Sequence, residues 1–382
     1  MKRKIFFWGP FLDNKIATIK AIRNSVYSIN NYSKIFEGYI IDAVGEWSNL
    51  NLKDKKKLNF ISTKINIIEK LPKFSFLKSR LSYWIIFFRC FFPLKNLIKK
   101  EKPEYIIIHL IVSLPLILFI LFNFNTKLCL RISGFPKLNF FRKLLWKISS
   151  NKICKVMCPT NATVEYLKSK KIFKDDIFCL EDPVLQIRTI PQKKFDKSLD
   201  PKFVKNSIIL IGRLTKQKNF ELFINAFSKI VKKYPKLKAN ILGDGELKED
   251  LKKLIDIIGL SKNIILLGHK ENVFKYLFNS KIFILTSLWE DPGFVLVEAA
   301  TLNRLIISSN CKNGPEEFLN HGKGGLIFES NSVNSLVNSI EIALKLNQTN
   351  IHEMILWSKK KTKKYLIYNH YKKIEKILNN EN

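Results

Sequence analysis

From residue 206 onward the chain alternates short apolar runs with longer segments in which Leu, Ile and Phe recur at three- and four-residue steps. The runs at 207–211, 239–242, 264–267, 282–285 and 305–308 are Ile- and Leu-rich and carry no charge, which predicts strands buried on both faces. Segments 221–233, 247–258, 273–279 and 295–302 have the helical period. Strand, helix, strand in repetition restricts the fold to a parallel sheet covered by helices on both faces, since parallel neighbours need a crossover connection.

The first half repeats this less tidily, with strands expected at 4–8, 34–41, 105–110 and 127–132 and a helix at 16–29. A chain of 382 residues exceeds what one core usually serves, so the expected fold is α/β with two Rossmann-like doubly wound domains. The boundaries read as 1–185, a linker at 186–205 where Pro191, Pro201 and several Lys break the period, 206–350, and a Lys-rich helical segment at 351–382. Met1-Lys-Arg-Lys leads into Ile5-Phe-Phe-Trp but stops at Gly9-Pro10 without a cleavage pattern, so it reads as a first strand and not a signal peptide. Residues 105–124 carry no charge and could span a bilayer by length. His109, Ser113, Pro115 and Asn123 interrupt them, so a buried strand at 106–110 and a buried helix at 116–122 account for the run equally well.

Lys and Arg number 66 against 32 Asp and Glu, a formal charge of +34. Nucleic acid, an anionic membrane and an anionic substrate all suit such a balance, and so does the AT-rich codon bias that favours Lys, Asn and Ile. Only nine of the cations are Arg, which argues against sequence-specific nucleic-acid recognition. Basicity concentrates at the front, where residues 1–100 hold 20 Lys and Arg against 6 Asp and Glu. The aromatic run at 83–93, with Arg89 inside it, suits either a surface resting in lipid headgroups or core packing. Six scattered Cys, with Cys154 and Cys158 lacking partners at zinc-ligand spacing, read as free cytosolic thiols.

The densest chemistry lies at Ser287-Leu-Trp-Glu290-Asp-Pro-Gly293-Phe294-Val295, followed by Glu298. It follows an apolar strand and opens a helix, so backbone N–H groups near Gly293 to Val295 offer an anion site, and Glu290 and Glu298 can accept from sugar hydroxyls. A second stretch, Gly212-Arg213-Leu214, ends another strand and is followed by Lys218 at a helix start. Gly212 admits close backbone approach, Arg213 offers a planar fork and Lys218 a compact charge, a set that fits a diphosphate. Gly243-Asp-Gly245 reads as a structural turn.

The order Gly-Arg-Leu…Lys-Asn, Gly-Asp-Gly, Leu267-Gly-His…Asn-Val, Ser-x-x-Glu-x7-Glu-Ala and Gly314-Pro-Glu…Gly324-Gly-Leu resembles the nucleotide-sugar domain of family-four glycosyltransferases, retaining enzymes of the GT-B fold. The resemblance covers about 206–330 and reaches the first half by pattern only, and it implies that the two domains face a central cleft. It implies that Arg213 and Lys218 hold the donor diphosphate, Glu290 the transferred sugar and Glu298 the ribose. Gly212, Gly293, Phe294 and Val295 then lie against donor, and Lys270 is a candidate for the base pocket. It makes residues 1–185 the acceptor domain, with His109 where the family places an active-site His. The family's Gly-Gly loop after the first strand is here Gly9-Pro10-Phe11-Leu12-Asp13-Asn14, and its next His-Gly pair is Arg131-Ile-Ser133-Gly134, where Arg131 could assist the acceptor.

No Asp-x-Asp occurs, so no metal is expected, and fixed cations neutralise the leaving diphosphate. The expectation is a cofactor-free glycosyltransferase moving a sugar from a nucleoside-diphosphate sugar to a lipid-linked or growing bacterial surface glycan. It is expected to be cytoplasmic and peripheral on the anionic inner face of the membrane, with no specific nucleic-acid partner. A sugar-nucleotide 2-epimerase of the same fold needs acid and base carboxylates in both domains, and few are apparent in the first. A basic, non-catalytic binding protein leaves five ordered motifs without a purpose.

Overall fold

The apolar runs become strands of two separate parallel sheets in a computed structural model that describes residues 2–12, 17–48, 58–72, 76–174, 176–196, 198–291 and 293–379. Asp13, Asn14 and Ile16 of the expected first loop and helix, and Pro292 of the densest motif, lie outside the described residues. One compact unit comprises Met1–Val184 with Ile367–Asn382, and the other Leu185–Leu366.

The first unit holds β1 (Arg3–Trp8), β2 (Phe36–Asp42), β3 (Asn59–Ser62), β4 (Tyr105–Ile108), β5 (Lys127–Arg131), β6 (Ile153–Cys158) and β7 (Ile177–Cys179), in the order β3-β2-β1-β4-β5-β6-β7. Alternate residues feed two cores. Ile5, Phe7, Ile107 and Cys129 pack under α1 (Ala17–Tyr32) and α14 (Ile367–Asn379), which bring Ile22, Val26, Ile374 and Ile377. Phe6, Trp8, Ile106, Ile108 and Leu130 face α2 (Phe76–Glu101), α3 (Ser113–Leu121), α4 (Phe140–Ser149) and α5 (Asn161–Ser169). The uncharged run at 105–124 is thus a buried strand and a helix packed on the sheet, and not a span.

Helix α2 resolves the aromatic run by face. Ile86, Phe87, Cys90, Leu94 and Ile98 are buried, while Leu81, Trp84, Phe88 and Phe92, one per turn, are exposed. Its Arg80–Glu101 stretch is long and apolar enough to cross a membrane by length and composition, yet a third of it is buried in the unit. Helix α3 packs on both α2 and α4. On α4, Phe140 and Phe141 are 75% and 79% exposed, with Leu144 and Ile148 exposed beside Arg142, Lys143 and Lys147. One outer side of the unit therefore presents large apolar side chains among cations.

The second unit holds β8 (Ile208–Ile211), β9 (Ala239–Leu242), β10 (Ile264–Leu266), β11 (Ile282–Leu285), β12 (Leu305–Ser309) and β13 (Leu326–Phe328), in the order β10-β9-β8-β11-β12-β13. Helices α7 (Phe220–Lys233) and α12 (Val333–Lys345) bury Phe223, Phe227, Leu336 and Ile340 against Ile208, Leu210, Ile284 and Ile307. Helices α8 (Lys248–Ile257), α9 (Val273–Phe278), α10 (Phe294–Thr301), α11 (Pro315–Phe318) and α13 (Gln348–Thr362) complete it.

Two boundaries read from sequence are corrected. Residues 186–205 do not form a free linker: they include α6 (Ile190–Lys194), which packs on α9, and they are pinned by charge. Lys275 Nζ lies 3.0 Å from Asp196 Oδ2, and Lys270 Nζ 2.7 Å from Asp200 Oδ2. Hydrogen bonds from Ser198 and then Lys275 hold the Asp196 carboxyl well below the usual range. Pairs 70 and 79 residues apart leave no periodic trace. The segment 351–382 is likewise split, since α13 belongs to the second unit while α14 returns to cover the first unit's sheet. The Tyr105 hydroxyl donates to Leu378 O at 2.7 Å there.

Candidate functional site

In the second sheet the chain runs outward from β8 through β9 to β10, then re-enters at β11 on the other side of β8. At such a switch point the loops leaving the carboxyl ends of β8 and β11 diverge and leave a crevice. Both loops carry the motifs singled out in the sequence.

After β8, Gly212 turns the chain, and residues Lys216–Lys218 form one tight helical turn closed by Asn219 in the left-handed region. That turn carries Lys218 back over Gly212, where a β-carbon would stand 3.2 Å from three Lys218 side-chain carbons. Gly243 has no alternative at all, since a β-carbon there would lie 1.8 Å from Gly212 O, so Gly243-Asp-Gly245 supports the β8 loop as expected. The β11 loop is stitched to the same turn. Thr286 Oγ1 donates to Lys218 O at 2.7 Å, Leu288 N to Gln217 O at 2.8 Å, and Gln217 Nε2 to Trp289 O at 2.9 Å.

The stitching brings Lys218 and Glu290 together. Their side chains form an ion pair through Lys218 Nζ and Glu290 Oε1, and Ser287 Oγ donates to the same oxygen at 2.6 Å. Glu290 is buried, and its Oε2 faces Gly293, where a β-carbon would approach to 3.2 Å. Gly293 has φ +92° and starts α10, whose first turn holds Phe294 and Val295 half-buried; Glu298 is buried one turn on. Arg213 is exposed, and its guanidinium has no partner among the described residues. Lys270 is brought to Asp200 and not to the Lys218–Glu290 pair.

The loop after β12 adds a feature that sequence reasoning missed. Lys312 bridges to Trp289, and the adjacent Asn313, at φ +74°, has a buried Nδ2 without a partner; Thr215 Oγ1 in the β8 loop is in the same condition. The only signal was the position of Asn313 before Gly314-Pro315. Among the described residues no three His, Cys, Asp or Glu gather as a metal cluster. What these loops present to a ligand is two cations, backbone N–H groups and two buried carboxylates.

Residues 191–371 match the family of glycosyl transferases group 1. Over these residues the chain is similar to a group 1 glycosyltransferase domain. It is 40% identical over 154 residues to an uncharacterized glycosyltransferase of Methanocaldococcus jannaschii, covering 40% of this chain and 37% of that one. It is 31% identical over 162 residues to the N-acetylgalactosamine-N,N'-diacetylbacillosaminyl-diphospho-undecaprenol 4-alpha-N-acetylgalactosaminyltransferase of Campylobacter jejuni, covering 42% of each. The chain thus spans about two fifths of the length of these curated relatives. TarM of S. aureus, a structure solved with UDP, alpha-GlcNAc-glycerol and Fondaparinux, matches 99% of this chain and 100% of its own at a TM-score of 0.75 and 17% identity. The expected GT-B class of fold is therefore present over the whole chain, and the motif resemblance at 206–330 is that of this glycosyltransferase family.

In the first unit, polar groups line the carboxyl ends of β4 and β5. His109 is buried, with Nδ1 3.4 Å from Ser133 Oγ and no partner for Nε2. Burial first, then the Arg131 charge, hold its imidazole far below the ordinary value, so it is neutral at pH 7. Two residues on, Ile111 sits at φ +48°, a costly conformation for a β-branched residue, and its carbonyl accepts from Trp8 Nε1. His370 on α14 is a contrast: Nδ1 meets Glu181 O at 2.7 Å and Nε2 meets Ser25 Oγ at 2.9 Å, so it is fully satisfied.

A buried carboxylate pair was also missed. Asp42 ends β2, and Glu46 follows in its loop. Glu46 Oε2 accepts from Val44 N at 2.7 Å, and Asp42 Oδ1 from Gly45 N at 3.0 Å. These carboxylates are occupied by their own loop's backbone, which makes them a loop staple and gives no support to epimerase chemistry.

Proposed function

We propose that this chain is a retaining glycosyltransferase that moves a sugar from a nucleoside-diphosphate sugar to a lipid-linked or growing bacterial surface glycan. The observation that carries the reading is the pairing of Lys218 with Glu290 at the switch point, beside the exposed Arg213. Lys218 has three N–H donors, so it can hold Glu290 and a diphosphate oxygen together. Glu290, anchored through Oε1, keeps Oε2 to accept from a sugar hydroxyl, and Glu298 is assigned to the ribose.

In the proposed reaction the bond from the anomeric carbon to the diphosphate oxygen breaks while the acceptor oxygen bonds to the same face of that carbon. The acceptor's proton passes to the departing phosphate oxygen. Negative charge grows on the leaving diphosphate, and Arg213, Lys218 and the start of α10 are fixed where they stabilise it more in the transition state than before. That electrostatic role needs no divalent ion. His109 is the first unit's candidate contribution to catalysis.

The acceptor half rests on relatives whose names include a diphospho-undecaprenol glycan and poly(ribitol-phosphate). The exposed aromatics of α2 and α4 among Lys and Arg support work at an anionic membrane surface. The test is a panel of UDP-, GDP- and dTDP-linked sugars scored by thermal shift and nucleotide release. One donor is expected to stabilise the folded chain and to be turned over slowly by water. A chain that binds none of them refutes the reading.

A further inference from the structure

Among the buried side-chain atoms of the first unit that lack a partner, His109 Nε2 and Arg131 Nη1 belong to residues at the ends of neighbouring strands. Ile108 is in register with Leu130, so His109 and Arg131 are the next neighbours along β4 and β5. Residues alternate between the two cores, and Ile107 and Cys129 face the α1 and α14 side, so His109 and Arg131 project to that side as well. Arg131 Nη2 lies 2.5 Å from Asp182 Oδ1, while Nη1 is buried without a partner; His109 Nε2 is buried without one too. Relative exposures of 3% for Arg131 and 6% for His109 make both omissions costly.

The chemistry of these atoms defines what fits them. A guanidinium can only donate, so its partner must be an acceptor. His109 is neutral, and in the tautomer whose Nδ1 accepts from the Ser133 hydroxyl the hydrogen lies on Nε2, which then donates as well. Two N–H donors beside one cationic edge select an oxyanion with more than one acceptor oxygen. Charge does not oppose it, because Asp182 holds only one edge of Arg131 and Glu181 is paired with Lys373 at 2.7 Å. Ser133, two residues on from Arg131, is exposed, and nothing stands within 4 Å of a β-carbon built at Gly134.

We propose that Arg131 and His109 form a phosphoryl-binding subsite in the first unit. In the function proposed above, on which this part rests, the phosphoryl group belongs to the lipid-linked acceptor; the donor nucleotide is the other source with the same chemistry. Arg131 acts here as the anchor, at the place where the family's His-Gly pair has been replaced.

The chain has five His, so ring nitrogens in the full-length protein labelled with 15N-histidine can be resolved, and His109→Gln identifies the His109 signal. Inorganic phosphate, farnesyl diphosphate and UDP are titrated in turn. The His109 Nε2 resonance is expected to shift and saturate, with a midpoint about 10- to 100-fold higher in Arg131→Lys, which keeps the charge and loses the fork. Farnesyl diphosphate acting at lower concentration than UDP places the acceptor's phosphate here, and the reverse order places the donor's. A resonance unmoved by all three probes, or an unchanged midpoint in Arg131→Lys, overturns the subsite. If Arg131→Lys does not fold, the wild-type titration alone decides. No turnover is needed, so a chain that shifts His109 but transfers no sugar keeps the subsite and loses the function.

Discussion

Both units place polar residues at the carboxyl edge of a parallel sheet, by different means. In the second, loops stitched by backbone hydrogen bonds carry Arg213, Lys218 and Glu290, with Arg213 exposed and Lys218 half-buried. In the first, the polar residues are strand ends, and His109 and Arg131 are enclosed by the sheet and its helices. Loops can arrange charge to meet a changing ligand, whereas strand ends fix single atoms. Under the function and subsite proposed above, the second unit stabilises the transition state and the first grips a phosphoryl group.

The largest expected effect breaks the comparison most directly. Arg213→Ala and Lys218→Ala should each lower turnover by roughly two to three orders of magnitude, as removal of one charge-stabilising donor typically does; melting temperature should change little in Arg213→Ala and fall in Lys218→Ala, where the buried Glu290 loses its partner. His109→Gln should cost less, because it removes a contact and no charge. Steady-state kinetics on the three variants check both statements, and equal losses abolish the distinction. The same assay should survive excess EDTA after dialysis; loss of activity restored by Mn²⁺ or Mg²⁺ means that Arg213 and Lys218 are not what neutralises the diphosphate.

The difference between the units also explains what the sequence revealed. Lys218 and Glu290 are 72 residues apart, yet each lies in a local motif with its own strand and turn, so both could be found singly. The alternation of apolar runs was enough for two parallel sheets. Arg131 and Asp182, 51 apart, and Ser25 and His370, 345 apart, belong to no motif; only folding joins them. The docking of residues 186–205 through Asp196 and Asp200 and the return of α14 to the first unit are tertiary in the same way. Asp42 and Glu46 escaped because a carboxylate bound to its own loop's N–H groups looks, in sequence, like any surface charge.

A smaller effect concerns the outer side of the first unit. Trp84→Ser with Phe88→Ser, and separately Phe140→Ser with Phe141→Ser, should each weaken sedimentation with anionic vesicles by about tenfold or more, since inserted aromatics supply the part that salt does not screen. High salt should weaken the remainder, because attraction of Lys and Arg to the surface fades within a Debye length. All four side chains are exposed, so the variants should fold. Unchanged sedimentation in both double variants removes the membrane from the reading.

The smallest effect tests whether Glu46 is a staple or a working group. Burial, then its hydrogen bond with Asp42, raises the Glu46 carboxyl from an ordinary 4.5 to about 8. Between those values the folded chain binds a proton that the unfolded chain has released, so stability falls as pH rises through the window and levels off above it. His109 and His370 act in the opposite direction, since burial lowers both and their contribution is lost as pH falls below about 6.5. The wild-type profile is therefore a sum of two slopes, and the informative quantity is its difference from Glu46→Gln, whose side-chain oxygen can still accept from Val44 N. Denaturant unfolding from pH 5 to pH 9 should show the variant gaining on the wild type steadily up to about pH 8 and then running parallel to it. Parallel curves throughout mean that Glu46 ionises like a surface carboxylate. A variant that is stable but loses turnover as steeply as Lys218→Ala moves the pair from the loop's structure into the reaction, and the division of labour between the units no longer holds.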